Sequence, residues 1–166
     1  MVSNGQIINI AKNLNSALRH LRRENASRGL WVDALCIKQD EIADKNCFIP
    51  IMHKIYSTAE GTIVWLGEAS TDSDDAISIL EDAASRASHL ASGASQRSMT
   101  TADILREAHN ETDTKTWKAL ANFGLRPWWS RVWVMQEIAS SKKFITVQCG
   151  RRTTNWYKLV MGIREL

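Results

Sequence analysis

Hydrophobic positions along the chain follow two periodicities, one typical of amphipathic helices and the other of buried strands. A stripe at helical spacing predicts a first helix over about 11–24. In contrast, 30–37 and 62–66 are continuous apolar runs, which are typical of parallel strands covered on both faces. A helix at 50–59 lies between them. Together these three elements predict a βαβ unit with a right-handed crossover.

The same reasoning extends to the rest of the chain. Pro50 removes a backbone donor, so we expect a loose turn at 41–47 before the helix, whose apolar stripe includes Tyr56. A further buried strand is predicted at 144–150. The remaining predicted helices are 73–91, 101–109, 114–123, 130–140 and 156–166. Strands of this kind alternating with helices predict an α/β fold, in which a parallel sheet is flanked by helices.

The middle of the chain differs in composition from both ends. Residues 68–75 are acidic and polar, and 92–98 are almost all small or polar. The latter composition predicts a flexible tip near 92–100. We therefore expect a helical insertion at 68–116, or to about 124 if its last helix is included, on the edge of a single domain that spans 1–166.

Composition and charge restrict the class of protein. The chain is 44% hydrophobic and 23% charged, which is ordinary for a globular domain. A net charge of +3 is too small to indicate a nucleic-acid partner. Cys36, Cys47 and Cys149 form no Cys-x-x-Cys pair, so neither a metal site nor a disulfide framework is expected. A reducing, cytoplasmic location fits best, and no segment predicts a membrane anchor.

Residues 126–137 crowd three tryptophans, two arginines and one carboxylate into a short segment. Trp133 and Glu137 are four positions apart, so a helix would place them on one face. An acid beside a tryptophan, on a helix that leads into a buried strand, is a candidate reactive carboxylate. Alternatively, the tryptophans are core anchors and Glu137 is a solvated helix residue. The chemistry alone favours this second interpretation.

A second carboxylate, Asp33, interrupts the apolar run at 30–37. Burying it is costly unless it is paired or hydrogen-bonded. It therefore either contacts a ligand and orients a site, or accepts hydrogen bonds from loop amides. The sequence leaves these alternatives open. No glycine-rich phosphate loop and no histidine spacing typical of metal ligands is present.

Four blocks resemble those of the fungal heterokaryon incompatibility (HET) domain, namely 30–40, 55–59, 63–67 and 126–137. Their order and spacing also match, and the resemblance covers nearly the whole chain. It implies a role in non-self recognition between fungal strains and in the cell death that follows. Protein partners or self-association are implied as well.

The chain departs from the family pattern in two ways. Lys38 stands where the family usually has Asn or Asp. The block that normally forms the first strand is missing upstream, so we expect an N-terminally truncated domain of marginal stability, or an inactive copy. Losing a central strand would expose the edges of its neighbours.

HET domains are also distantly similar to Toll/interleukin-1 receptor (TIR) domains, which implies a flavodoxin-like, three-layer parallel sheet. In catalytic TIR domains, a glutamate four residues after a tryptophan serves cleavage of NAD to nicotinamide and ADP-ribose. Here Trp133 and Glu137 have that spacing, with Val134 in place of a cysteine. The resemblance implies that Glu137 is the catalytic candidate and that NAD is the substrate, if the domain is an enzyme. The pocket residues it implies are Asp33, Arg131, Trp133 and Gln136. The competing function is a non-catalytic self-association module.

Overall fold

The structure, a computed structural model, describes residues 2–3, 6–91 and 111–166. The predicted tip at 92–100 and the predicted helix at 101–109 lie outside them. In chain order the described elements are β1 (Val2–Ser3), β2 (Gln6–Ile7), α1 (Lys12–Leu21), α2 (Asp33–Cys36), α3 (Ile42–Phe48), α4 (Met52–Thr58), β3 (Thr62–Trp65), α5 (Ser73–Ala91), α6 (Glu111–Gly124), α7 (Val134–Ser140), β4 (Ile145–Cys149), β5 (Arg152–Asn155) and α8 (Trp156–Arg164), with 3₁₀ helices at Ile49–Ile51 and Pro127–Ser130.

The main sheet has three strands in the order β3-β4-β5. β3 and β4 are parallel, with Thr62 opposite Ile145, whereas β4 and β5 are antiparallel. β5 follows β4 after a two-residue turn, too short for a crossover, so these strands must run in opposite directions. Gly150 in this turn has a φ of 54°, a conformation that favours glycine. The mixed α/β class is confirmed, but the sheet that the structure describes is not all parallel.

Two helices, α5 and α8, pack on one face of this sheet and contribute to the core. α5 buries Ala76, Ile77 and Leu80, and α8 buries Leu159 against them. Gly162 lets the two backbones approach closely, because a Cβ there would clash with the carbonyl oxygen of Leu80 and lie 2.7 Å from its carbonyl carbon. α5 falls within the insertion that was predicted at 68–124 on the edge of the domain. It nevertheless contributes buried residues to the core.

Aromatic rings extend this core towards the segment at 126–137. Trp128 is buried and contacts Trp129 edge to face, with centroids 5.0 Å apart. Trp156 stacks on Trp129 at 6.1 Å, and Phe123 lies 6.0 Å from the same ring. The interpretation of these tryptophans as core anchors therefore holds for Trp128 and Trp129.

The apolar run at 30–37 is not a strand, so this prediction was wrong and so was the βαβ unit built on it. The segment forms the short helix α2, in which the amide of Ala34 donates to the carboxylate of Asp33 at 2.7 Å. The amide of Ile37 closes the turn on the carbonyl of Asp33 at 3.0 Å. The backbone is thus satisfied locally, and the parallel neighbour of β3 is β4, far along the chain.

The segment before α4 also differs from the prediction. Residues 41–47, expected as a loose turn, are largely helical in α3. Pro50 lies in the first positions of the 3₁₀ helix that separates α3 from α4, where its missing donor costs little. The proline therefore sets the junction between two helices and does not unwind the segment before it.

Candidate functional site

Three segments that are distant in sequence bring four polar side chains together. Asp33 begins α2, Tyr56 lies on α4, and Glu137 lies on α7, which packs against α4. The hydroxyl of Tyr56 lies next to the carboxylate of Glu137, close enough for each group to influence the pKa of the other. The charges of Arg131 and Asp33 act on both groups. Asp33, Arg131 and Glu137 thus share one site with Tyr56, which the sequence pattern placed only in an apolar stripe.

Burial controls the electrostatics of this group. Glu137 is half-buried, and this burial raises its pKa above the ordinary value, while the positive charge of Arg131 opposes the rise. The negative charge of Asp33 raises the pKa further, and the hydrogen bond from Tyr56 lowers it. Burial and the charge of Glu137 also raise the pKa of Tyr56 strongly. Tyr56 therefore stays protonated and acts as the donor.

The other two predicted pocket residues lie at the start of α7 with exposed side chains. Trp133 precedes the helix, and its carbonyl accepts the amides of Gln136 and Glu137 at 3.0 and 3.2 Å. The side chain of Trp133 is 53% exposed, and Gln136 is exposed too. Trp133 is thus exposed although it lies one helical turn before Glu137, which is half-buried.

The site lies towards the amino end of β3. The hydroxyl of Ser141, one turn beyond Glu137, donates to the carbonyl of Glu137 at 2.8 Å and lies 2.6 Å from the hydroxyl of Thr62, the first residue of β3. Ligands of open α/β sheets usually bind outside the carboxyl ends of the strands. The carboxylate therefore occupies a different position from the one that a flavodoxin-like arrangement leads one to expect.

A cleft of about 980 Å³ runs past Tyr56 along the sheet face opposite α5. Its walls come from the segment between α1 and α2, from α4 and from the sheet, where Thr146 and Gln148 form part of the floor. Trp31 contacts Tyr56 edge to face, with ring centroids 5.9 Å apart. Tyr56 lines the cleft and lies next to Glu137, so it connects the cleft to the carboxylate.

A known protein family matches most of the chain. A family model described as Heterokaryon incompatibility protein (HET) matches residues 1–137. The chain belongs to this family. The matched range includes all of the four-residue site and ends on Glu137, so the HET resemblance seen in the sequence is confirmed.

A named relative comes from Neurospora crassa and is called Heterokaryon incompatibility protein 6, OR allele. It is 35% identical to this HET-family chain over 80 residues, which is 45% of the chain. The match covers only 12% of the relative's length. No solved structure matches the chain.

Two further observations bear on the chemistry of this HET-family domain. Among the residues that the structure describes, no group of three His, Cys, Asp or Glu side chains could hold a metal ion. Within the same residues, no helix combines the length and the apolar character needed to cross a bilayer. The ionisable groups of the site are the carboxyl groups of Asp33 and Glu137, the phenol of Tyr56 and the guanidinium of Arg131.

Proposed function

We propose that this chain acts in fungal heterokaryon incompatibility, in the recognition of non-self and the cell death that follows, and that it does so in the cytoplasm by cleaving NAD. Family membership and the name of the Neurospora relative support the incompatibility role. The observation that carries the catalytic part is the half-buried Glu137, whose carboxyl group lies next to Tyr56, Arg131 and Asp33. A perturbed carboxyl group with specific charged neighbours is typical of functional sites.

The reaction would break the bond between the nicotinamide nitrogen and the C1′ carbon of the ribose. The bonding electron pair leaves with nicotinamide, and the sugar passes through an oxocarbenium-like state that a carboxylate stabilises. Water then adds to C1′ and loses a proton, giving ADP-ribose. Glu137 would face the ribose, and Arg131 would favour the charged form of the carboxylate.

Access to Glu137 would run through Tyr56. The phenol lies next to the carboxylate and also lines the cleft. A ribose hydroxyl that entered from the cleft would replace the phenol as the donor to Glu137. Tyr56 would then act as a positioning residue, which holds the carboxylate until the substrate arrives.

The proposal extends to the architecture of the domain. We infer a TIR-like, three-layer sheet, in which β3 and β4 are one parallel pair. The third layer of such a fold would lie on the sheet face opposite α5, along which the cleft runs. The three-strand mixed sheet supports this proposal only in part, because β5 is antiparallel.

The decisive experiment measures nicotinamide release from NAD by the wild-type chain, by Glu137→Gln and by Glu165→Gln. Glu165 is an exposed acid at the end of α8, so its variant controls for a lost carboxylate elsewhere. Release that persists in Glu165→Gln and falls at least about 100-fold in Glu137→Gln is expected. Circular dichroism would verify that all three proteins are folded. A folded wild type that releases no nicotinamide would refute NAD cleavage.

A second candidate function is self-association without catalysis. Val132, Trp133 and Met135 are 82%, 53% and 72% exposed, and they lie within four positions of the chain. Apolar side chains clustered on a surface often mark a protein interface. Sedimentation of the same samples would test it. A concentration-dependent oligomer that Trp133→Ala disrupts would favour this alternative.

A further inference from the structure

A second recess lies at the opposite end of the parallel strands from Glu137. It measures about 420 Å³ and is lined by Arg19, His20, Gln148 and Arg151. Gln148 is near the carboxyl end of β4, and Arg151 directly follows that strand. This is the edge of an α/β sheet where ligands usually bind. The proposed catalytic group, at the amino end of β3, does not account for the recess.

The positive charge of this recess comes mainly from its arginines. His20 already has partners, because its Nε2 lies 3.6 Å from the carboxylate of Glu68 and its Nδ1 bonds the carbonyl of Ser16 at 3.0 Å. In contrast, neither Arg19 nor Arg151 forms an ion pair with any side chain that the structure describes. Both are exposed. Two uncompensated guanidinium groups therefore line one concave surface.

Gln148 connects this recess to the larger cleft, since it lines both. It is only 8% exposed, an unusual position for a polar side chain on a central strand. Its Nε2 donates to the carbonyl of Gly150 at 3.0 Å, which fixes the amide in place. Gln148 therefore borders both concave surfaces, and we refer to the cleft and the recess together as the groove.

Charge and aromatic groups are distributed along the whole groove. The larger cleft adds Arg23 and Arg28, and the rings of Trp31, Tyr56 and Phe144 line it as well. Glu60 is the carboxylate among its described lining residues. Guanidinium groups bind phosphate through charge-assisted hydrogen bonds, and aromatic rings stack on nucleobases. The groove combines both, and the cleft alone, at about 980 Å³, has room for a ligand larger than a phosphate ion.

We propose that the groove binds a nucleotide, with its phosphates in the recess between Arg19 and Arg151 and its base and sugar along the cleft. An adenine dinucleotide would span both parts, which links this site to the proposed NAD cleavage. That choice of ligand rests on the proposed function. The phosphate site itself rests on the arginines, on Gln148 and on its place at the carboxyl ends of β3 and β4.

The test is isothermal titration of the wild-type chain with ADP-ribose, ADP and adenosine. ADP-ribose and ADP share the diphosphate, whereas adenosine lacks it, so only the first two should bind tightly. Arg19→Gln and Arg151→Gln are each expected to raise the Kd for ADP about tenfold. Arg86→Gln is the matched control, because it removes the same charge from α5, on the covered face of the sheet. Raising the NaCl concentration should weaken binding of wild type and control alike.

Three outcomes would overturn the proposal. These are a folded wild type that binds neither ADP-ribose nor ADP, adenosine binding as tightly as ADP, and an unchanged Kd in both arginine variants. Titration of Glu137→Gln separates this site from catalysis. If wild type and Glu137→Gln both bind ADP but the wild type releases no nicotinamide, the chain is a nucleotide-binding domain without NAD cleavage. If the wild type releases nicotinamide but binds neither ADP nor ADP-ribose, the groove alone is refuted.

Discussion

The contact between α5 and α8 gives the sharpest structural prediction, and the perturbation is Gly162→Ala. A Cβ at this position would meet backbone atoms of Leu80, including the carbonyl carbon at 2.7 Å. Contacts under about 3.0 Å to a backbone require the helices to separate, because no side chain can rotate away. Leu80 and Leu159 are fully buried at this interface, so any separation also opens the core.

Two opposing effects determine how much Gly162→Ala changes the free energy of unfolding. Overpacking a core typically costs about 1–3 kcal/mol, and a clash with backbone lies at the upper end. Replacing glycine by alanine inside a helix recovers up to about 1 kcal/mol through backbone entropy. Since Gly162 lies inside α8, both terms apply, and the net loss in the free energy of unfolding should be about 2 kcal/mol.

Urea unfolding monitored by tryptophan fluorescence would measure this loss. Gly124→Ala is the matched control, because Gly124 ends α6 and a Cβ there would meet no atom within 4 Å. The control should be neutral or slightly stabilising. If Gly162→Ala were as stable as wild type, with an unchanged m-value, the close approach of α5 and α8 would be wrong.

Two further predictions concern the loop after β3 and the candidate carboxylate. Arg126 donates to the carbonyls of Leu66 and Glu68 at 3.0 and 2.9 Å and to the hydroxyl of Ser70 at 3.0 Å. Arg126→Gln should therefore lower the free energy of unfolding by about 2–3 kcal/mol. An unchanged midpoint of urea unfolding would show that these hydrogen bonds do not stabilise the loop. Folding raises the pKa of Glu137, so the wild type should lose stability relative to Glu137→Gln as the pH rises from below about 4.5. If the difference in free energy of unfolding between the two proteins did not change with pH, burial would not raise this pKa.

Elements with strong apolar periodicity could be predicted from the sequence. β3 and β4 lie within the predicted runs at 62–66 and 144–150, and the helix predicted at 73–91 matches α5. In these segments the local pattern agrees with the burial in the fold. The apolar face of a helix, or the apolar run of a strand, is therefore enough to predict the element. The closing helix α8 was found for the same reason.

Segments that depend on local polar bonds or on distant neighbours could not be predicted in this way. The apolar run at 30–37 instead forms a short helix, closed by backbone bonds to the carbonyls of Val32 and Asp33. β5 has three exposed residues and one buried, Thr154, whose hydroxyl bonds Glu81 on α5. In the sequence, Tyr56 resembles any core aromatic residue. Its proximity to Glu137, 81 positions later in the chain, depends on tertiary packing that local pattern does not indicate.

The start of α7 separates the two functions proposed for its residues. Trp133 and Glu137 are one helical turn apart, because the amide of Glu137 donates to the carbonyl of Trp133 at 3.2 Å. Even so, Trp133 is 53% exposed, whereas Glu137 is half-buried beside Tyr56. A surface ring can support assembly and an inward carboxyl group can support chemistry without either excluding the other. Glu137→Gln should consequently abolish nicotinamide release and leave sedimentation unchanged, whereas Trp133→Ala should have the reverse effect.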